Sequence, residues 1–136
     1  MQSVFKSAAA GLALVLFLPL QGANAGTSEE EAFYAWYTAS EENAMYYHIH
    51  DEFGNGPLGD QAWKIAKCES ELNPRAKSPT NDHGLFQINY VHRDSFQQVT
   101  GHAWSPNIYH ASLNAKYARD LYNRQGWNPW ACRKAL

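Results

Sequence analysis

Among the acidic residues of the chain, Glu69 is the one whose position suits acid catalysis. It lies late in a predicted helix and directly follows Cys68, one of two cysteines; the other is Cys132. A disulfide between them would tie the helix end to the aromatic turn Trp127–Trp130 and hold the carboxyl group near apolar surface. A carboxyl group with apolar neighbours keeps its proton more readily, as a general acid acting on a glycosidic oxygen requires. A glutamate near a helix end is also commonly just solvated, so position alone leaves both interpretations open.

The disulfide depends on the compartment in which the chain folds. Lys6 precedes an apolar run from Ala8 to Leu20, and Ala23-Asn24-Ala25 then supplies the small residues that a signal peptidase recognises. We interpret residues 1–25 as a signal peptide cleaved after Ala25, which predicts a secreted or periplasmic protein. The alternative is a membrane anchor, but the run is short for a bilayer and no stop-transfer pattern follows it, so no stable membrane anchor is expected.

Export makes a disulfide between Cys68 and Cys132 chemically reasonable, whereas two free thiols would be expected in a reducing compartment. The bridge would close a loop of about 65 residues and stabilise the fold by about 4 kcal/mol in the chain-entropy model. The exported chain is small enough for such a covalent link to matter.

The elements that must position Glu69 are predicted to be mainly helical. Ser28 and Glu31 have capping-box spacing, which predicts a helix from Glu29 to about His50. Asp51 to Gly59 is rich in glycine and breaks the pattern. The predicted buried stripe of the first helix comprises Phe33, Trp36, Tyr37, Ala44 and Tyr47.

Asp60 can cap a second helix, from Gln61 to about Glu71, which Asn73-Pro74 ends. A polar loop and a short apolar segment, Gly84 to Asn89, follow; this segment is either a strand or the entry to a helix. A short helix is predicted from Arg93 to Val99. The last helix begins between Pro106 and Ser112, runs to about Arg124 and stops at Gly126.

Three sequence signatures, in order, resemble those of the lytic transglycosylases, whose lysozyme-like fold is shared with goose-type lysozymes. They are Cys68-Glu69-Ser70-Glu71-Leu72-Asn73-Pro74, Gly84-Leu85-Phe86-Gln87-Ile88-Asn89, and Asn114 in a helix. The resemblance extends from about Gln61 to Cys132. It implies a mainly α, lysozyme-like (α+β) fold with a small β-hairpin lining a glycan-binding cleft. The domain organisation expected is a signal peptide (1–25), an acidic helical segment (26–60) and a transglycosylase domain (61–136).

The resemblance also implies site residues. Glu69 matches the catalytic acid/base, and Ser70 matches a residue that binds substrate or orients the glutamate. Gln87 and Asn114 match residues that contact the N-acetyl sugar or the reacting centre, although each amide could instead bond local backbone. The complete set of expected substrate-binding residues is Ser70, Gly84, Leu85, Phe86, Gln87, Asn89 and Asn114. One departure is that the tyrosine of an Ala-Tyr-Asn motif has no clear match, with Tyr117 and Tyr122 nearest.

Two reactions remain open at the same β-1,4 bond of peptidoglycan. A lytic transglycosylase needs one carboxyl group, whereas a hydrolytic muramidase uses two. Asp82 precedes the Gly84 segment and could supply the second carboxylate, although a turn residue is the preferred interpretation. Glu71 and Asp94 are weaker candidates. A third reading is a non-catalytic glycan-binding or secretion-associated protein.

The charge distribution along the chain limits which binding partners are expected. Residues 26–60 carry eight acidic and no basic residues, whereas residues 61–136 carry ten basic and five acidic ones. The expected partner is the glycan strand of peptidoglycan, with secretion or conjugation machinery suggested by the resemblance alone. No nucleic-acid motif accompanies the basic body. His48 and His50 are two residues apart and do not share a helix face, so neither a metal nor another cofactor is expected. A monomer is expected.

Overall fold

Six α-helices and one hairpin make up the computed structural model, which describes residues 28–136. The helices are α1 (Glu29–Ala39), α2 (Glu41–Phe53), α3 (Pro57–Ser70), α4 (Arg93–Thr100), α5 (Trp104–Asn107) and α6 (Ala111–Gln125). Strands β1 (Asp82–His83) and β2 (Ile88–Asn89) pair antiparallel between α3 and α4. Two 3-10 helices, Tyr90–His92 and Ala131–Ala135, complete it. The mainly α fold with a small β element is confirmed, and the signal peptide predicted at 1–25 lies outside the described residues.

The prediction of one long front helix was wrong, because Ser40 interrupts it. Ser40 has extended backbone angles (φ −158°, ψ 155°), and its hydroxyl accepts the Asn43 N–H at 3.1 Å, so it caps the start of α2. A serine that bonds the backbone in this way favours a new helix start over continuation. The capping box at Ser28 and Glu31 is confirmed, with both reciprocal hydrogen bonds present.

The buried stripe predicted for this region was also wrong. Helix α1 has no buried residue, and Phe33, Trp36 and Tyr47 are 36%, 39% and 38% exposed. These aromatic side chains contact one another across α1 and α2, with Phe33 and Tyr47 ring centroids 5.1 Å apart. The part of the front segment that enters the core is instead the face of α2 bearing Met45, Ile49 and Phe53.

The hydrophobic core lies between α2, α3 and α6 and under the hairpin. Ala62, Ile65 and Ala66 of α3 are buried in it, and Tyr117 and Leu121 of α6 pack in the same cluster. Its fully buried members are Ile49, Ala62, Ile65, Ala66, Leu85, Phe86, Phe96, Ile108, Ala115, Tyr117 and Ala118. Residues of α2, α3, α6 and the hairpin belong to one core cluster, so α2 helps to fix the position of α3 and of the hairpin. Within residues 28–136, no helix is long and apolar enough to span a membrane.

Helix α3 begins earlier than predicted, at Pro57. Gly56 precedes it and Pro57 occupies a first-turn position, so Asp60 lies inside the first turn rather than capping it. The helix ends at Ser70, and Glu71 follows in the left-handed conformation with φ 55°. This end leaves Glu69 in the last turn of α3.

The later helices lie close to their predicted bounds. Helix α4 matches its prediction to within one residue, and α6 ends before Gly126 as expected. Ser105-Pro106 does not begin α6, since Ser105 is extended (φ −102°, ψ 136°) and the helix starts at Ala111.

Candidate active site

The carboxyl group of Glu69 is held by the C-terminal part of the chain. Its Oε1 accepts a hydrogen bond from the main-chain N–H of Cys132 at 3.0 Å. Cys132 is disulfide-bonded to Cys68, with Cα atoms 5.9 Å apart, which confirms the predicted pairing and joins α3 to the final 3-10 helix. Glu69 is half-buried, and within residues 28–136 its Oε2 makes no hydrogen bond. One carboxyl oxygen is thus anchored while the other is available to a ligand.

A cleft of about 170 Å³ opens beside this carboxyl group. Polar side chains from four parts of the chain line it: Glu69 from α3, Asp82 and Asn89 from the strands, Gln87 from the turn and His92 from the 3-10 helix. The remaining lining residues are Ile88, Leu121, Pro129, Trp130 and Ala131. The structure therefore brings Glu69, Gln87 and Asn89 together, as the sequence suggested, places Asp82 beside them, and adds His92.

The hairpin keeps its shape because Gly84 is tightly enclosed. Its φ of +77° is in the region that favours glycine, and its N–H donates to the Ala76 carbonyl at 2.8 Å. A Cβ at this position would lie 2.7 Å from the Ile108 carbonyl oxygen and still closer to the Asn114 amide nitrogen. The glycine is needed for close approach of the protein's own groups.

Asn114 supplies the contact that fixes the hairpin. It is completely buried, and its Oδ1 accepts the Phe86 N–H at 2.8 Å. Its amide nitrogen donates to the His83 carbonyl at 3.1 Å and the Ile108 carbonyl at 2.9 Å. Both amide hydrogens are therefore engaged by backbone. Of the two interpretations left open, the structure shows the buried helix asparagine, which positions the hairpin from α6 and does not face the cleft.

Ser70 makes the matching contact from α3. It is buried, and its hydroxyl lies 2.7 Å from the Leu85 carbonyl and 3.1 Å from the Ala66 carbonyl. Leu85 and Phe86 are completely buried, so their side chains pack in the core and cannot contact a glycan, contrary to expectation. The predicted set thus divides into residues that shape the cleft and residues that line it.

Gln87 and Asn89 both stabilise the hairpin and line the cleft. The Gln87 amide nitrogen donates to the Gly84 carbonyl at 2.9 Å and the Ala76 carbonyl at 3.2 Å. The Asn89 amide nitrogen donates to Asp82 Oδ1 at 2.8 Å, while its oxygen accepts the Val91 N–H at 3.1 Å. Both residues line the cleft, and the oxygen of Gln87 remains without a hydrogen bond inside the described range.

Asp82 is both a turn residue and a cleft residue. Its carboxylate accepts hydrogen bonds from Thr80, Ser78 and Asn89. Partial burial by itself would raise the pKa of Asp82, but these three hydrogen bonds outweigh it and leave the pKa below its ordinary value. Asp82 is therefore a carboxylate at neutral pH. The other two candidates for a second carboxylate, Glu71 and Asp94, do not line this cleft.

His92 is the cleft residue that the sequence interpretation missed. Burial, and then the positive charge of Arg124, lower its pKa below the usual value, so the ring is neutral at pH 7. Within residues 28–136 its ring nitrogens make no hydrogen bond, and its ring centroid lies 5.7 Å from that of Tyr117. His92 lies outside the three sequence signatures, so no motif marked it as a site residue. The fold places it in the same cleft as Glu69.

The family to which this chain belongs follows from a comparison of its sequence with protein families. Residues 59–130, slightly more than half of the chain, match the family model of the Transglycosylase SLT domain. The chain is a member of the SLT transglycosylase family. The matched span begins in α3 and includes Glu69, the whole hairpin and Asn114. No curated protein and no solved structure matches the chain significantly.

As an SLT transglycosylase, this protein departs from the expected tyrosine motif. Tyr117 is completely buried, and its hydroxyl lies 2.5 Å from the Ser95 hydroxyl and 3.4 Å from an Arg124 nitrogen. Tyr122 packs on Trp127, with ring centroids 4.5 Å apart. Neither tyrosine lines the cleft, where His92 stands instead. Among residues 28–136, no cluster of His, Cys, Asp and Glu is arranged to hold a metal ion.

Proposed function

We propose that this protein is an exported enzyme that cleaves the β-1,4 bond between N-acetylmuramic acid and N-acetylglucosamine in peptidoglycan, with Glu69 as its acid and then its base. Membership of the SLT transglycosylase family makes the glycan strand its substrate class. The observation that carries the assignment of Glu69 is its geometry. One carboxyl oxygen is fixed by the Cys132 N–H, and the other is available in a cleft lined by polar side chains.

The proposed reaction uses only this carboxyl group. Protonated Glu69 donates its proton to the glycosidic oxygen, and the bond from that oxygen to the anomeric carbon breaks. The substrate's own N-acetyl carbonyl stabilises the positive anomeric carbon. The Glu69 carboxylate then takes the proton of the muramoyl C6 hydroxyl, whose oxygen bonds the anomeric carbon. The product is a 1,6-anhydro sugar, and no water is consumed. The Cys132 N–H stabilises the carboxylate between the two steps.

Hydrolysis of the same bond is the second candidate, and the position of Asp82 favours it. Asp82 lines the same cleft and is ionised at neutral pH. An ionised carboxylate there could orient a water molecule or stabilise the anomeric cation, as in a two-carboxylate muramidase. Transglycosylation leads because it matches the family and requires no role for Asp82, whose oxygens already accept three hydrogen bonds.

Mass analysis of soluble products from purified peptidoglycan separates these reactions. Anhydro ends, lighter than reducing ends by one water, support transglycosylation, and reducing ends establish the muramidase. Glu69→Gln should abolish both kinds of product while retaining the circular dichroism spectrum and wall binding of the wild type. Product release by Glu69→Gln at the wild-type rate would overturn the role of Glu69.

Export is part of the same proposal. A structural disulfide fits an oxidising compartment, and the substrate lies outside the cytoplasmic membrane. The intact mass of the protein in culture fluid or periplasm tests it, with a chain beginning at Gly26 expected. The division at residue 60, the monomeric state and an association with secretion or conjugation machinery remain predictions.

A further inference from the structure

The outer face of α1 and α2 is aromatic and is not used by the proposed reaction. Five of the eight large hydrophobic side chains exposed among residues 28–136 lie on these two helices. They are Phe33, Tyr34, Trp36, Tyr46 and Tyr47. Helix α1 buries none of its residues, and its main packing partner is α2. Scattered exposed aromatic residues are ordinary, but a concentration on one face marks a contact surface.

Two grooves meet on this face. One of about 440 Å³ is lined by Trp36, Tyr46, Tyr47, His50, Asp51, Gly54 and Asn55. The other, of about 430 Å³, is lined by Trp36, Glu42, Asn43, Tyr46 and Trp63. Trp36 and Tyr46 belong to both grooves and lie edge to face, with ring centroids 5.9 Å apart. Each groove also has a carboxylate, Asp51 in the first and Glu42 in the second.

The charge of this face has one sign. Residues 28–60 carry eight acidic side chains and neither lysine nor arginine. Among residues 28–136, the lysine that pairs with this group is Lys67 of α3, whose ammonium lies 3.7 Å from Glu42, and both side chains remain well exposed. An aromatic ring attracts a cation over its face, and a neighbouring carboxylate adds to that attraction. The face therefore combines two features that favour a cationic ligand.

We propose that this aromatic–acidic face docks a polypeptide segment rich in arginine and lysine that belongs to another protein. Arginine fits best, because its planar guanidinium stacks on Trp36 or Tyr46 while donating to Asp51 or Glu42. Aromatic grooves also stack sugars, but peptidoglycan carries carboxylates on its peptide stems, which this acidic face would repel. The face lies outside the Glu69 cleft, so the proposal does not depend on the catalytic one.

Calorimetric titration of the purified protein with octa-arginine tests the proposal, with octa-glutamate and chitohexaose as comparison ligands. Octa-arginine should bind, more weakly at high salt, and octa-glutamate should not. Chitohexaose can bind only at the Glu69 cleft, so its binding should be the same in the wild type and in the variants of this face. Trp36→Ala with Tyr46→Ala should weaken binding about tenfold, as expected for two lost cation–π contacts. Glu42→Gln with Asp51→Asn should weaken it about fivefold at low salt. If octa-arginine were held by net charge alone, replacing Trp36 and Tyr46 would leave its affinity unchanged.

The matched control is Glu71→Gln with Asp94→Asn, which removes the same charge elsewhere on the surface. Its affinity for octa-arginine should fall less than twofold. Both face variants should keep the wild-type unfolding midpoint and rate of peptidoglycan cleavage, which separates this test from that of Glu69. Equal losses in control and face variants, unchanged octa-arginine binding after aromatic replacement, or loss of chitohexaose binding in the face variants would each overturn the proposal. So would salt-sensitive self-association that the charge variant abolishes, since the occupant would then be a second copy.

Discussion

The main-chain N–H of Cys132 donates a 3.0 Å hydrogen bond to the side chain of Glu69, although 63 positions separate the two residues in sequence. The disulfide from Cys132 to Cys68 fixes this contact, because Cys68 adjoins Glu69 in α3. The same covalent link that stabilises the fold thus determines where the candidate catalytic carboxyl group points.

Replacing both cysteines with serine should therefore affect stability and activity together. The disulfide closes a loop of 64 positions, and its loss should lower the free energy of unfolding by about 4 kcal/mol in the chain-entropy model. Urea denaturation of the oxidised wild type and the double variant measures this difference. Cleavage should also fall under conditions where the variant is still folded. Wild-type activity in the folded variant would show that the disulfide does not position Glu69.

Asn114→Ala should be among the most destabilising single substitutions in this protein. It would leave the buried Phe86 N–H and two carbonyl groups without their partner, at a cost of about 2–4 kcal/mol. Asn43→Ala is the matched control. Asn43 also donates a side-chain hydrogen bond to backbone, at 2.7 Å to Trp36, but this bond is exposed to solvent, so its loss should cost less than about 1 kcal/mol. Similar unfolding midpoints for the two variants would contradict the role assigned to Asn114.

Asp82→Asn should reduce stability in a pH-dependent way. The folded-state pKa of Asp82 lies below its ordinary value of 3.8, because hydrogen bonds favour the charged form. Its contribution is therefore complete above that ordinary value and is lost as the pH falls through the lower folded value. The stability difference from wild type should be constant near neutrality and shrink below about pH 3.8. A difference that persists unchanged into stronger acid would show that ionisation of Asp82 is not its source.

The same variant distinguishes the two reactions. If Glu69 acts alone, Asp82→Asn should still release anhydro products, at a rate reduced only by changes in the hairpin. Loss of all turnover in a folded variant, together with reducing ends from the wild type, would assign Asp82 the second carboxylate role.

His92 should contact the glycan as a neutral ring. Burial and then Arg124 lower its pKa, so protonation is expected only below the usual value of 6.5. KM for a soluble glycan should rise as the pH falls through this lower pKa, with kcat less affected. His92→Gln should retain a KM within about threefold of wild type, whereas His92→Phe should raise it about tenfold, as for one lost hydrogen bond. Steady-state kinetics across this pH range check it, and an unchanged KM in His92→Phe would exclude contact.

Local signals predicted the end of α3 but not its start, and they left the segment Gly84–Asn89 open between a strand and the entry to a helix. The apolar spacing of Ala62, Ile65 and Ala66 and the stop at Asn73-Pro74 describe a helix whose last turn carries Glu69. The front segment could not be predicted in the same way, because the aromatic spacing of Phe33 and Trp36 looks the same whether the helix faces the core or the solvent. Only the tertiary packing of α2 distinguishes the two.

The residues of the site were also predicted only in part, because some of their roles depend on tertiary packing. Gln87 and Asn89 line the same cleft as Glu69, as the motif suggested. The motif did not reveal that Asn114 faces inward, because a buried asparagine and a substrate-binding one look alike in sequence. His92 was missed because its approach to Glu69 depends on how α4 packs against α6.

The tie between Cys68 and Cys132 also has a consequence for where and when the protein becomes active. In a reducing compartment the covalent link is absent, and the N–H that holds Glu69 is attached to the body by non-covalent contacts alone. Oxidation would then act as the maturation step of the enzyme. A wall-degrading activity assembled in this way would remain dormant in the cytoplasm of the cell that makes it.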